Sequence, residues 1–232
     1  MAKLPLKHIQ SIVGAQLHEG GKGATKEGPG SAPPLVVTVS RSFGAGGTDI
    51  AAMLAERLGV FLYDRELLKA IVKETKADKH LLERLDERAT SFLDDIVLSF
   101  FSKKSTSKDN FYRYMVKVIL GISHSGGVIV GRGAHLVIPK DRKAFRLRLE
   151  ASLEAATNRV AKRLDIKKRK ARELVLEQNL QREQFITDIL ERYPTDRREH
   201  DLTINTDGFT PEQVVNIVVC AMKQAGFEVP KK

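Results

Sequence analysis

Nine residues constrain this chain more than any others: Ser40-Arg41-Ser42-Phe43-Gly44-Ala45-Gly46-Gly47-Thr48. Before them stands a short apolar, β-branched run, Leu35–Ser40. After them, Thr48–Leu58 places Ile50, Met53, Leu54 and Leu58 on one helical face. The first pattern is that of a buried strand, the second that of an amphipathic helix. Glycines at the turn between them let main-chain N–H groups converge on an anion, and the helix N-terminus adds a favourable dipole. The segment therefore reads as a phosphate cradle. Ser42, Gly44, Ala45, Gly46, Gly47 and Thr48 would wrap the phosphates of a nucleotide, with the Thr48 hydroxyl where such loops ligate Mg²⁺.

The match to G-x-x-x-x-G-K-[ST] is incomplete. Aligned on Gly46 and Thr48, the first glycine position is Arg41 and the lysine position is Gly47. That lysine normally reaches the outer phosphates. Arg41 leaves the same loop and could supply the missing charge. A glycine turn between strand and helix can also be purely structural.

The rest of the chain alternates in the same way. Val60–Tyr63, Gly127–Val130, Ala144–Leu149 and Leu202–Asn205 read as further strands. Helical patterns cover Arg65–Lys73, Lys79–Arg88, Ser91–Ser102 and Phe111–Ser123, with a polar break at Lys103–Asn110. Ser152–Leu164 follows with Ser152 as N-cap, and a highly charged helix runs from about Lys167 to Arg192. Thr210-Pro211-Glu212-Gln213 is a capping box with proline at the first helical position, opening a last helix to Ala225. Gly59 is placed to cap the helix that follows the loop. Strands alternating with helices imply an α/β fold, a mainly parallel sheet covered on both faces. The helical block 65–125 is then an insert. Residues 1–34 lie outside this domain: Leu6, Ile9, Ile12, Val13 and Leu17 have helical spacing, and Glu19–Pro34 reads as a flexible linker. The domain proper spans 35–229.

At 232 residues the chain suits one large domain. Hydrophobic residues at 42% and charged ones at 29% are ordinary for a globular protein. The net charge of +10 points to anionic partners, or to no more than a well-solvated basic surface. The single cysteine, Cys220, excludes an intrachain disulfide, and its apolar neighbours imply a buried thiol in a reducing cytoplasm. No apolar run approaches the roughly 20 residues of a membrane helix, and no signal peptide is evident.

Further segments carry a family resemblance. SRSFGAGG, then Tyr63-Asp64-Arg65-Glu66-Leu67, then Gly127–Leu149 with Gly131-Arg132-Gly133 at a strand end, then Asp201-Leu202-Thr203-Ile204-Asn205-Thr206 occur in this order. Together they resemble the cytidylate-kinase-like family of P-loop proteins, over about Leu35 to Ala225. The resemblance implies a three-layer P-loop sandwich with about five parallel strands, a helical acceptor insert and an arginine-rich lid at about 160–198. It implies phosphoryl transfer from ATP, with Mg²⁺, to a nucleoside monophosphate, CMP or dCMP first, or to a related small molecule. Arg132 matches the arginine that holds the acceptor, and Asp64 an acidic or polar acceptor-site position. Arg159 and Arg163 match arginines entering the lid, and Arg182 a lid arginine; with Arg41 they would attend the transferred group. The family's aspartate after the motif arginine is here Gly133.

Bland readings stand beside these. Arg132 could be a surface turn, Asp64 a helix cap, and Arg159, Arg163 and Arg182 solvated helix charges. His135 reads as a packing or surface histidine. The basic run from Arg159 to Arg172 could be lid or could meet nucleic-acid phosphates, but no zinc-ligand spacing, aromatic RNA motif or helix-turn-helix pattern supports the latter. A protein that keeps the fold and binds nucleotide without catalysis is the third reading. The N-terminal helix could dock on its own domain or on a second copy, so a homodimer stays open.

Overall fold

The computed structural model describes residues 34–64, 107–139, 142–192 and 200–230. The elements are β1 (Val36–Arg41), α1 (Gly47–Leu58), β2 (Leu62–Tyr63), α2 (Ser107–Ser125) and β3 (Gly127–Val130). They continue as α3 (Ala134–Val137), β4 (Ala144–Glu150), α4 (Leu153–Leu164), α5 (Lys168–Arg192), β5 (Leu202–Asn205) and α6 (Pro211–Gln224). The strands form one parallel sheet in the order β2-β3-β1-β4-β5. β1 lies at its centre, so the chain after β1 starts between two neighbours at the carboxyl edge, where α/β sheets bind ligands.

The alternation of side chains along each strand sorts the two faces. Val37 and Val39 on β1, Val128 and Val130 on β3, and Phe145, Leu147 and Leu149 on β4 meet α1 and α6 in one apolar cluster. Leu147 and Leu149 are fully buried there. Burying one such side chain contributes about 1.5–3 kcal/mol. The opposite face pairs Thr38 with Arg146 and Ser40 with Arg148 across β1 and β4. On that face α2 supplies Met115, Ile119 and Ile122, and α3 supplies Leu136 and Val137. One face is thus uniformly apolar, and the other turns polar toward the carboxyl edge.

Local signals act as the sequence suggests at several ends. Ser152 Oγ accepts from Ala155 N at 3.1 Å. Thr210 and Gln213 close a reciprocal capping box. Gly59 ends α1 in the left-handed region at φ 66°. Three expectations change. Cys220 is exposed rather than buried, because α6 turns Val214, Val215, Val218, Val219 and Met222 inward and leaves position 220 outside that stripe. α2 begins at Ser107, inside the expected polar break, since a first helical turn needs no apolar residue. α3 was not foreseen: it is one turn long, too short for periodicity to show. The expected helices within 4–17 and 65–102, the linker before Pro34 and the last part of the lid fall outside the described residues. No helix among the described residues is long and apolar enough to cross a membrane.

Candidate active site

The glycine loop leaves β1 and is fixed at both shoulders. Ser42 N donates to Leu149 O at 2.9 Å, and Ser42 Oγ accepts from Ala151 N at 3.2 Å. Gly44 and Gly46 take φ of 87° and 72°, which L side chains rarely adopt. A Cβ at Gly44 would come within 2.7 Å of Ala156 Cβ, so α4 can press on the loop only because the residue is glycine. The amides of Gly44, Gly46, Gly47 and Thr48 have no acceptor among the described residues. Four open N–H groups at the start of α1 suit an anion. Ala45 is buried beneath them and Thr48 is exposed on the first turn.

Arg159 supports this loop from behind. Its guanidinium donates to Gly44 O at 3.4 Å, Thr206 Oγ at 2.9 Å and Thr206 O at 2.6 Å. The Thr206 hydroxyl also lies 3.2 Å from Ala45 O, so β5, α4 and the loop meet at one knot. The structure therefore gives Arg159 a bracing task on protein acceptors, where the resemblance had implied attendance on the transferred group.

Helix α5 returns across the loop. Asn179 Oδ1 accepts from Phe43 N at 2.7 Å, and Arg182 Nη1 donates to Arg41 O at 2.9 Å. The Phe43 ring has the Arg182 guanidinium 5.4 Å and that of Arg163 5.7 Å from its centroid, within cation–π range. Arg163 itself is exposed and stays outside the cavity described below. Lys162, Lys167, Lys168, Arg169, Lys170 and Arg172 are also exposed, so most of the basic run faces solvent.

Between α5 and the carboxyl ends of β1, β3 and β4 lies a cavity of about 910 Å³. Among the described residues, Arg41, Arg132, Arg148 and Arg182 line it, against one lining carboxylate, Glu183. Arg132 holds φ at 57° between two left-handed glycines, a conformation that costs a non-glycine residue roughly 1–2 kcal/mol. Its guanidinium lies 5.4 Å from the Phe185 ring centroid. Gly133 also has a positive φ, and a Cβ there would meet Ile189 Cδ1 at 2.5 Å. The positive φ, with α5 packed close by, suits glycine where the family pattern has aspartate. Asp64 follows β2 on the far side of β3 and is not part of the cavity wall formed by the described residues.

Three lining residues carried no signal in the sequence strong enough to select them. Arg148 comes to the cavity through its register opposite Ser40, and its Nε donates to Glu150 Oε1 at 2.5 Å. His135 is buried; its Nδ1 lies 3.1 Å from Ser40 Oγ, and its ring stacks on His200 with centroids 4.6 Å apart. Burial, then the positive charge of Arg148, push His200 down to about 4, so it is neutral at neutral pH. Strand alternation on β4 is the signal that places Arg146 and Arg148 on one face; nothing local marks the histidine pair.

A strand–glycine loop–helix unit at the centre of a parallel sheet, with arginines from the core strands and from α5 converging beside it, is the arrangement of a kinase-type enzyme. Residues 36–208 match the cytidylate kinase-like family, and the chain belongs to that family. A cytidylate kinase of Methanobrevibacter smithii is 24% identical over 193 residues, 82% of this chain and 99% of the relative. Among solved structures, an uncharacterized protein from Eubacterium ventriosum superposes with a TM-score of 0.61 at 17% identity, over 82% of this chain and 98% of the other. A shikimate kinase from Bacteroides thetaiotaomicron gives 0.45 at 12% identity, over 83% and 99%.

Proposed function

We propose that the protein transfers the terminal phosphoryl group of ATP to a nucleoside monophosphate, with CMP and dCMP as the first acceptors to try. The observation that carries this reading is the convergence of Arg41, Arg132, Arg148 and Arg182 on one cavity beside the glycine loop. Among the described lining residues, four guanidinium groups against one carboxylate favour an acceptor that is itself an anion. A planar guanidinium grips two phosphate oxygens at once. Phosphoryl transfer asks mainly for positioning and charge neutralisation, and these residues supply both. Family membership and the cytidylate kinase of Methanobrevibacter smithii as a relative point the same way.

In this reading the open amides from Gly44 to Thr48 hold the donor phosphates. Arg159 and Thr206 keep the loop in shape. Arg132 and Arg148 orient the acceptor, and Arg182 on α5 closes over the reacting groups. Thr48 fits Mg²⁺: an exposed hydroxyl stands beside the open amides, and such an ion takes most of its ligands from phosphates and water. When bound, the ion would neutralise charge between the outer phosphates.

Calorimetric titration with ATP and Mg²⁺, followed by a coupled assay over a panel of nucleoside monophosphates, tests the proposal. Saturable ATP binding and turnover with at least one monophosphate are expected. Binding without turnover on any acceptor would favour a regulatory nucleotide-binding protein instead, a reading that glycine at position 47 keeps in play.

A further inference from the structure

Gly47 is buried, and the space in front of its Cα is filled. A Cβ there would lie 2.9 Å from both Cβ and Cγ of Arg41 and 3.5 Å from Leu149 Cδ1. The first two are stem atoms close to the main chain of β1, which ladders to β3 and β4 hold on both sides. They cannot swing aside as the tip of a long side chain can. Farther out, Nη1 of Arg41 rests so closely over Gly131 that a Cβ there would also collide with it. The side chain therefore runs from the turn of the loop, over Gly47, to the end of β3, where it lines the cavity beside Arg132.

We infer that Arg41 takes the place of the missing loop lysine, and that its stem and any side chain at position 47 compete for one channel. The inference rests on the phosphoryl-transfer reading above and deepens it by naming the residue that brings charge to the outer phosphates. Glycine at position 47 leaves room for the Arg41 stem, whose Cβ and Cγ would both press on a Cβ there. Gly131 takes φ of 75°, which already favours glycine, and the Arg41 guanidinium packs over the face this leaves open. The cation thus enters from the strand side of the loop instead of the helix side.

In the step it serves, a lone pair on an acceptor phosphate oxygen forms a bond to the terminal phosphorus of the nucleoside triphosphate. The bond from that phosphorus to the bridging oxygen breaks, and its electron pair stays on the departing diphosphate. Any proton on the acceptor oxygen leaves to solvent. Charge on the non-bridging and leaving oxygens is what Arg41 would neutralise. The ammonium introduced by Gly47→Lys could do the same only if the Arg41 side chain were gone.

The test is a swap. Arg41→Ala, Arg41→Lys, Arg41→Gly, Gly47→Lys and the double variant Arg41→Gly/Gly47→Lys are compared with the wild type in steady-state kinetics and ATP titration, with thermal melting as a control for folding. Arg41→Ala should lower kcat about 10²–10³-fold, the range for removing one preorganised charge-stabilising donor. The acceptor KM should change little, and Arg41→Lys should recover part of the loss. Gly47→Lys alone should be impaired. The double variant should regain at least about tenfold over Arg41→Gly, one decade of transition-state stabilisation. Wild-type kcat in Arg41→Ala, or a folded double variant no better than Arg41→Gly, overturns the inference. Should the double variant fail to fold, Arg41→Ala and Arg41→Lys decide it. If the wild type binds ATP yet transfers nothing, the phosphoryl-transfer reading falls and Arg41 is judged on ATP affinity alone. Weaker binding in Arg41→Ala that the swap restores then supports it, and unchanged binding overturns it. A wild type that binds no ATP overturns both.

Discussion

At the scale of single residues, the polar side of the sheet has its own titration behaviour. His200 stacks on His135 and sits under the influence of Arg148 and Arg146, with Asp201 and Glu150 acting in the opposite sense. Its ordinary value of 6.5 falls to about 4 in the fold. Between those values the unfolded chain holds a proton there that the folded chain does not. Stability therefore rises with pH across that window. It is fully present above about 6.5 and is lost as pH falls toward 4. Urea unfolding of His200→Gln at pH 7 and pH 5 should show a smaller drop between the two than the wild type shows. An equal drop would assign the acid sensitivity to other groups.

Single residues also mark how far the sequence could be read. Gly44 and Gly46 stood out as turn glycines between a strand and a helix, and both take a positive φ. Arg132 was legible from its place between two glycines at a strand end, and it does line the cavity. His135 and His200 were not, because 65 positions separate partners that stack only after β4 and β5 pair. Arg159 was singled out, but its spacing could not reveal that Gly44 O and Thr206 would engage its guanidinium.

At the scale of elements, α5 is the piece whose behaviour sequence could state least. Its charged pattern gave the helix and nearly its length, while its course over the loop depends on a few side chains. Asn179 takes the Phe43 amide proton at 2.7 Å, and one turn later Arg182 reaches Arg41 O. Farther along, Phe185, Ile186 and Leu190 pack on the α2–α3 cluster. Asn179→Ala removes one hydrogen bond worth about 1 kcal/mol net. Exchange of the Phe43 amide with deuterium should speed up by roughly fivefold, the counterpart of that energy. Amides in β1 should stay as protected as before. Loss of protection through the whole sheet would mean that α5 and the sheet open as one unit. The short elements show the opposite limit: α3 has a single turn, and its start depends on the left-handed turn at Gly133, which no periodicity registers.

At the scale of the whole molecule, the order β2-β3-β1-β4-β5 gathers the ends of separate chain segments at one edge. Residues from positions 40–42, 130–136, 148 and 178–190 meet in the cavity only when the sheet is complete. A ligand held there should stabilise the molecule globally. ATP and Mg²⁺ at 100 times their Kd should add about 2.7 kcal/mol, visible as a rise of several degrees in the melting temperature. No shift at any ATP concentration would count against nucleotide binding by this fold. The parallel α/β architecture was legible from alternating strand and helix patterns. The particular strand order was not, since any parallel order would have given the same alternation.

The division of the sheet into an apolar and a polar face has a consequence for how the chain reaches its fold. On β4, Phe145, Leu147 and Leu149 alternate with Arg146 and Arg148. A slip of one residue against β1 would drive two guanidinium groups into the layer under α1 and α6 and expel the aromatic and leucine side chains. Such a misaligned strand would carry unpaired charges where no partner could reach them, so it would be rejected early. Arg146 and Arg148, of which the second lines the cavity, thereby act against a misregistered β4 before any substrate is encountered.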